Sequence, residues 1–265
     1  MRFGCCVSPD GIELAAAAGC DFVELPVAAV LPERPEAEFA PVRERLLAAP
    51  VKPEAWQLQL PADLRATGPD VSWPRLARYL YTSLRRIAEV GGAVVAFGSG
   101  RQREAPAGFP VTDAMDQLTE VLRICGAVAH SRGLMVGVEP LSSSRCNLVN
   151  SLPEAVSLAR VVDMPEVGVA VHAQEMALEG HSAFDIVDAA EWLTHVRVSG
   201  AQAVAQSGDE VWQHDFIQAL RMADYDWRVS IEGEWKDSPN EMKAAVESLR
   251  RCFDEAEHEA YAGRW

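Results

Sequence analysis

The sequence contains no uninterrupted apolar stretch of the roughly 18 residues that a membrane-spanning helix needs. Its first residues, Met1–Val7, lack the apolar core of a signal peptide. The six cysteines form neither a C-x-x-C pair nor the spacing of a zinc ribbon. These absences predict a cytoplasmic protein with reduced thiols and no membrane partner.

Positive charge is also scarce. The chain has 24 Lys and Arg residues against 39 Asp and Glu residues, which gives a net charge of −15. Nucleic-acid affinity comes from clustered basic side chains, so this balance argues against a nucleic-acid partner. Anionic membrane surfaces are disfavoured for the same reason. The apolar fraction of 49% is that of an ordinary folded domain and excludes a disordered or low-complexity chain.

Eight short apolar runs alternate with longer segments whose apolar residues recur at helical spacing. The predicted helical segments are Ile12–Ala18, Pro74–Val90, Thr112–Arg132, Pro153–Val162, Ala183–Leu193, Asp215–Ala223 and Pro239–Glu257. No break in composition divides the 265 residues. We therefore predict one α/β domain over residues 1–265, a (β/α)8 TIM barrel. The first run carries no phosphate-binding fingerprint, which argues against a doubly wound sheet. The predicted strands are Arg2–Val7, Asp21–Leu25, Glu54–Leu58, Ala93–Phe97, Leu134–Glu139, Val167–His172, His195–Ser199 and Arg228–Glu232.

Two carboxylates and a histidine stand at the ends of predicted strands. Active sites of such barrels lie at the carboxyl ends of their strands, so Glu139, His172 and Glu232 should converge. Converging carboxylates can share a divalent metal or act as acid and base on opposite faces of one carbon. Neutral imidazole is a common metal ligand and a general base. Glu139, His172 and Glu232 are therefore candidate metal ligands, and both glutamates are also predicted catalytic residues.

The seventh predicted strand places His195, Arg197 and Ser199 on one face, because side chains alternate along a strand. His195 and Arg197 complete the predicted catalytic set. The planar guanidinium of Arg197 suits carboxylates, so it could equally form an ion-paired network with Glu139 and Glu232. Other polar residues near strand ends are predicted to contact a polyhydroxylated ligand. These are Glu24, Gln57, Ser99, Arg101, Glu175 and Glu234.

Four segments carry a resemblance to the sugar phosphate isomerase/epimerase family, also called the xylose isomerase-like TIM barrels. They are Ala18–Leu25, Ala96–Gly100, Val138–Leu141 and Val229–Glu232. The resemblance covers nearly the whole chain and implies a small sugar or polyol as partner. It also implies a divalent metal such as manganese, zinc or cobalt, held by Glu, Asp, His and Glu from strand ends.

The implied metal ligands match this sequence only in part. The two Glu positions fall on Glu139 and Glu232, and the Asp falls on His172. The metal-binding His falls on Arg197, which offers no lone pair and stays protonated. A substrate-contacting Arg falls on Ala203. The resemblance therefore implies a divergent metal site, in which Arg197 stands at the position of a metal ligand.

Three readings stay open. The first is an isomerase or epimerase that moves a proton next to a carbonyl group of a sugar, sugar phosphate or cyclitol. The second is a metal-independent lyase or isomerase in which Arg197 replaces the ion. The third is a non-catalytic sugar-binding or partner subunit with a decayed site. The sequence leaves the oligomeric state open, and a homo-oligomer is compatible with it.

Overall fold

The computed structural model describes residues 1–199, 210–235 and 239–262. Eight parallel strands form one closed barrel, in which each strand pairs with its neighbours in chain order and β1 pairs with β8. This confirms the predicted (β/α)8 barrel. The strands are β1 (Arg2–Cys6), β2 (Phe22–Pro26), β3 (Pro53–Leu58), β4 (Val94–Phe97), β5 (Met135–Val138), β6 (Val167–His172), β7 (Leu193–Ser199) and β8 (Arg228–Glu232).

Helices follow the strands and cover the outside of the barrel. Their apolar faces pack on the strands, and β6 shows the result, since all six of its residues are buried. Such burial on both faces is typical of parallel strands. The helices are α1 (Ile12–Ala17), α2 (Glu36–Ala48), α3 (Trp73–Glu89), α4 (Val111–Arg132), α5 (Leu152–Val162), α6 (Ala173–Leu178), α7 (Asp185–Asp188), α8 (Glu210–Met222) and α9 (Pro239–Ala262).

The main differences from the predicted elements lie in the helices. Helix α2 was not predicted, because it buries only Phe39 and Leu46 and has Pro41 in its interior. The helical segment predicted over residues 183–193 is instead the four-residue α7 followed by a short 3-10 turn. None of the helices in the described ranges combines the length and the apolar character that crossing a bilayer requires.

Candidate active site

Three glutamates, one within β2, one directly after β5 and one at the end of β8, surround Arg197, which lies on β7. One guanidinium nitrogen, Nη2, lies 3.0 Å from Oε1 of Glu139 and 3.4 Å from Oε2 of Glu232. The other terminal nitrogen, Nη1, lies 3.6 Å from Oε1 of Glu24 on β2. The sequence predicted the first two neighbours of Arg197 but not the third. Closure of the barrel brings Glu24 and Arg197 together, and this contact cannot be predicted from the sequence around either residue.

Arg197 is buried at the centre of this cluster, and only 6% of it is exposed. Burial alone lowers the pKa of the guanidinium, but Glu139 and Glu24 outweigh it and raise the pKa above its ordinary value. The side chain therefore remains a fixed positive charge. Its Nε–H has no hydrogen-bond partner among the described residues.

Glu24 and His195 form a fully buried pair beneath Arg197. Nε2 of His195 lies 2.8 Å from Oε2 of Glu24 and 3.1 Å from the hydroxyl of Ser230. Burial raises the pKa of Glu24, but His195, Arg197 and Ser230 outweigh burial and bring the pKa to about 2. Glu24 is thus ionised at neutral pH. Within the described part of the chain, no hydrogen bond reaches its Oε1 or Nδ1 of His195.

His172 and Glu232 form a second pair, nearer to solvent. Nε2 of His172 lies 2.8 Å from Oε2 of Glu232, and the backbone N–H of Gln174 donates to Nδ1 at 3.2 Å. Because a backbone amide can only donate, the neutral ring carries its proton on Nε2 and donates it to Glu232. This hydrogen bond is the main reason that the pKa of Glu232 falls to about 2.

Two residues that the sequence did not single out hold Glu139 in place. A Cβ on Gly98 would lie 2.8 Å from Oε2 of Glu139, so a larger residue there would push the carboxylate aside. Arg103 is completely buried and donates to the backbone oxygen of Glu139 at 2.6 Å and to that of Phe97 at 3.3 Å. The only sequence signal was their place in the segment after β4 that contains Ser99 and Arg101, both of which were predicted to contact a ligand.

A cleft with a volume of about 530 Å³ opens beside this cluster. Glu24, Gln57 and Glu232 line it, together with Cys6 and Trp235. The ring N–H of Trp235 donates to the backbone oxygen of Cys6 at 2.8 Å, which fixes one wall. Trp235 was missed because it follows β8 in an irregular segment, where strand periodicity gives no direction for a side chain.

The remaining predicted residues lie in varied places. The hydroxyl of Ser99 contacts the backbone of Leu58 and Leu60 between strand ends. Arg101 is exposed, and Glu234 lies exposed beyond the end of β8. Glu175 is buried and accepts from the backbone N–H of Ser142 at 2.6 Å; it also pairs with Arg145. Ser199 donates to Gln174 at 2.8 Å. Their predicted roles toward a ligand stay predictions.

The residues at the implied metal position do not fit a divalent ion. The guanidinium of Arg197 occupies the space between Glu139 and Glu232, and it would repel a cation there. Both ring nitrogens of His172 are engaged, so neither offers a free lone pair. No group of three or more His, Cys, Asp or Glu side chains in the described ranges is arranged to hold a metal. Ala203, where a substrate-contacting Arg was implied, lies outside the described residues.

Solved sugar epimerases share this fold. D-Psicose 3-epimerase from Clostridium cellulolyticum H10 superposes with a TM-score of 0.80 at 17% identity, covering 96% of this chain and 99% of that chain. For D-allulose 3-epimerase from Methylomonas sp. the TM-score is 0.79 at 16% identity, and the match covers 95% of this chain and 98% of that chain. For 3-keto-D-glucoside 4-epimerase from E. coli the TM-score is 0.77 at 18% identity, with coverage of 95% and 100%. At these identities the likeness shows the fold alone.

Among curated proteins, none matches the sequence. The family model described as "Xylose isomerase-like TIM barrel" matches residues 12–252, which is most of the chain. The match spans Glu24, Glu139, Arg197 and Glu232, so the charged cluster lies inside the matched region. The chain therefore belongs to the xylose isomerase-like TIM barrel family.

Proposed function

We propose that this protein is an isomerase or epimerase that moves a proton at the carbon next to the carbonyl group of a sugar or related polyol. The observation that carries the proposal is the position of Glu139 and Glu232 on the same nitrogen of Arg197, at the carboxyl ends of the strands. The cleft beside them is lined by Glu232 and has the volume of a small-molecule site. The sugar epimerases with the same fold are consistent with this proposal.

The chemistry needs a base, an acid and a fixed positive charge. A carboxylate, Glu232 or Glu139, accepts the proton from carbon, and the C–H electron pair forms the double bond of an enediolate. The charge of Arg197 stabilises the negative charge that develops on the carbonyl oxygen. Return of the proton to the neighbouring carbon, with transfer of a hydroxyl proton from one oxygen to the other, gives an isomer. Donation of a proton by the other glutamate, in its protonated form, to the opposite face of the same carbon gives an epimer.

Glu232 is better placed to meet a substrate than Glu139. Its side chain is half exposed and lines the cleft, whereas Glu139 is buried. Both contacts of Glu232 with His172 and Arg197 are made through Oε2. His172 donates to Glu232 and so orients the carboxylate. In this scheme Arg197 takes the place that a divalent ion would have, and no step uses a metal.

A second candidate is a sugar-binding protein without catalysis. Two observations favour it: three carboxylates already engage the charge of Arg197, and a pKa of about 2 makes Glu232 a weak base. Such a protein would bind a polyol in the same cleft and release it unchanged.

Solvent isotope exchange distinguishes the two candidates. Ketoses, aldoses and keto-cyclitols are incubated with the protein in D2O, and proton NMR follows loss of the C–H signal next to the carbonyl. We expect exchange that persists in chelator and falls by about 10²–10⁴-fold in Glu232→Gln. Glu13→Gln, the same change at an exposed position on α1, should exchange at the wild-type rate. Binding without exchange would overturn catalysis and support the second candidate.

A further inference from the structure

The cleft beside Glu232 is negatively charged. Three carboxylates line it, those of Asp10, Glu24 and Glu232, and no Lys, Arg or His of the described residues is part of its lining. Asp10 is exposed and paired with Arg45 at 2.7 Å, so the charge that a ligand meets comes chiefly from Glu24 and Glu232. Arg197 contacts both carboxylates, but it shares its single positive charge with Glu139 as well, so the cluster keeps a net negative charge. A phosphate or carboxylate group would be repelled there, whereas a cation would be attracted.

Glu24 also has an unused hydrogen-bonding position at the base of the cleft. The residue is 1% exposed, and no described residue donates a hydrogen bond to its Oε1. The closest charge to Oε1 is Nη1 of Arg197 at 3.6 Å, which is beyond hydrogen-bond distance. A buried, ionised oxygen is costly to leave without a donor. A donor carried by a ligand would satisfy it.

Trp235 supplies an aromatic wall to the same cleft. Its ring N–H is held by the backbone oxygen of Cys6 at 2.8 Å. The ring also packs over Gly233, where a Cβ would come within 3.1 Å of it. An indole face attracts cations more strongly than other aromatic side chains do. The neighbouring Cys6 adds no charge, because burial raises the pKa of its thiol well above the ordinary value.

We propose that this cleft binds a small polyol that carries a protonated amine, such as an amino sugar or an amino cyclitol. The inference rests on the proposed function for the polyol part of the ligand and on the cleft itself for the amine. The ammonium group would donate to Glu24 or Glu232 and lie against Trp235. The hydroxyl groups would face the remaining polar lining, which includes Gln57.

Calorimetric titration with matched ligands tests the proposal. The probes are glucosamine, glucose, N-acetylglucosamine and glucose 6-phosphate, together with an amino-inositol and its parent inositol. We expect an amine to bind at least about tenfold more tightly than its hydroxyl counterpart, a difference of about 1.4 kcal/mol. Acetylation should remove this advantage, and the phosphate should bind least. Equal binding of amine and parent, tighter binding of the phosphate, or no amine binding would overturn the proposal.

Two variants assign the preference to the cleft. Glu232→Gln should reduce the advantage of the amine over its parent polyol to near parity. Glu13→Gln removes one charge from the neighbouring surface and should keep the full preference. Loss of the preference in both variants would show a general charge effect and overturn the site. Amine binding without isotope exchange would uphold this inference and reject the proposed catalysis. Isotope exchange with neutral sugars, without any preference for amines, would support the proposed catalysis and overturn this inference.

Discussion

Gly98 and Glu139 fit together at the ends of β4 and β5, because a Cβ at position 98 would lie 2.8 Å from Oε2 of the glutamate. The other oxygen of Glu139 is held 3.0 Å from Arg197. The carboxylate is thus fixed from two sides. A glycine that looks like part of a flexible loop in the sequence instead sets the position of a buried charge.

Gly98→Ala should therefore impair activity more than folding. The added methyl group displaces the Glu139 carboxylate by a few tenths of an ångström and weakens its contact with Arg197. A small misplacement of a catalytic group is enough to cost about 10²-fold in rate. Isotope exchange and thermal unfolding measure the two effects. The double variant Gly98→Ala/Glu139→Asp should regain part of any folding stability that Gly98→Ala loses, because the shorter aspartate side chain makes room for the methyl group. An unchanged exchange rate in Gly98→Ala would argue against Glu139 as a reacting group.

Arg197→Ala should destabilise the protein strongly at neutral pH. It leaves Glu24, Glu139 and Glu232 without their shared counter-charge, and breaking a buried ion pair from one side costs about 3–5 kcal/mol. Arg45→Ala is the control, because Arg45 and Asp10 form an exposed pair worth about 0–1 kcal/mol. Chemical denaturation at pH 7 gives the free energies of unfolding. Similar losses in the two variants would mean that the buried cluster contributes no more than a surface pair.

Arg103→Met tests the support behind Glu139. The change removes the donor to the backbone oxygens of Glu139 and Phe97 while keeping an apolar side chain in the buried space. Leaving such acceptors unsatisfied costs about 1–3 kcal/mol each. The matched change is Arg101→Met, two residues away and exposed, which should leave stability within about 0.5 kcal/mol of wild type. If both variants unfold alike, the buried hydrogen bonds do not stabilise the strand ends.

Acidification should weaken folding through Glu24. Its pKa of about 2 lies below the ordinary value of 4.5, so the unfolded chain binds the proton more readily than the folded one. The resulting stability is complete above about pH 4.5 and is lost as the pH falls toward 2. For this buried residue it amounts to about 3 kcal/mol. Protonation of Glu232 should also weaken folding, but its contribution to stability is smaller because its side chain is half exposed.

The variant Glu24→Gln isolates that contribution. It should be less stable than wild type at pH 7, and its free energy of unfolding should change less between pH 5 and pH 3. Glu13→Gln should instead give a curve parallel to that of wild type. A Glu24→Gln curve as steep as the wild-type curve would show that other carboxylates control the acid response.

The strands were predictable because burial in a parallel barrel selects continuous apolar runs. The predicted bounds of β6 and β8 match the structure, and Glu232 ends its strand as expected. Helix α2 was not predictable, because a helix that lies mostly exposed needs no apolar stripe. The sequence pointed to Glu139, Glu232 and Arg197 through their positions at strand ends.

The contacts of the site were less predictable than its members. Glu24 and His195 are 171 residues apart, and only closure of the barrel brings them to hydrogen-bond distance. His172 matched a metal-binding position, yet one ring nitrogen accepts from the first turn of α6 and the other contacts Glu232. Those two bonds depend on where α6 begins, and the periodicity of the sequence did not indicate that helix.

Arg197→His should create a metal site at the position that the guanidinium occupies in the wild-type protein. The shorter side chain removes the guanidinium from the space between Glu139 and Glu232 and offers an imidazole lone pair beside two carboxylates, a donor set that suits manganese, zinc or cobalt. We expect the variant to retain about one equivalent of metal after gel filtration and to unfold at a higher temperature with the ion than without it. Arg197→Met, which removes the charge but supplies no nitrogen ligand, should show a smaller response. Wild-type protein that retains an equivalent of metal would show that Arg197 does not exclude an ion, and the metal-independent scheme would then be wrong.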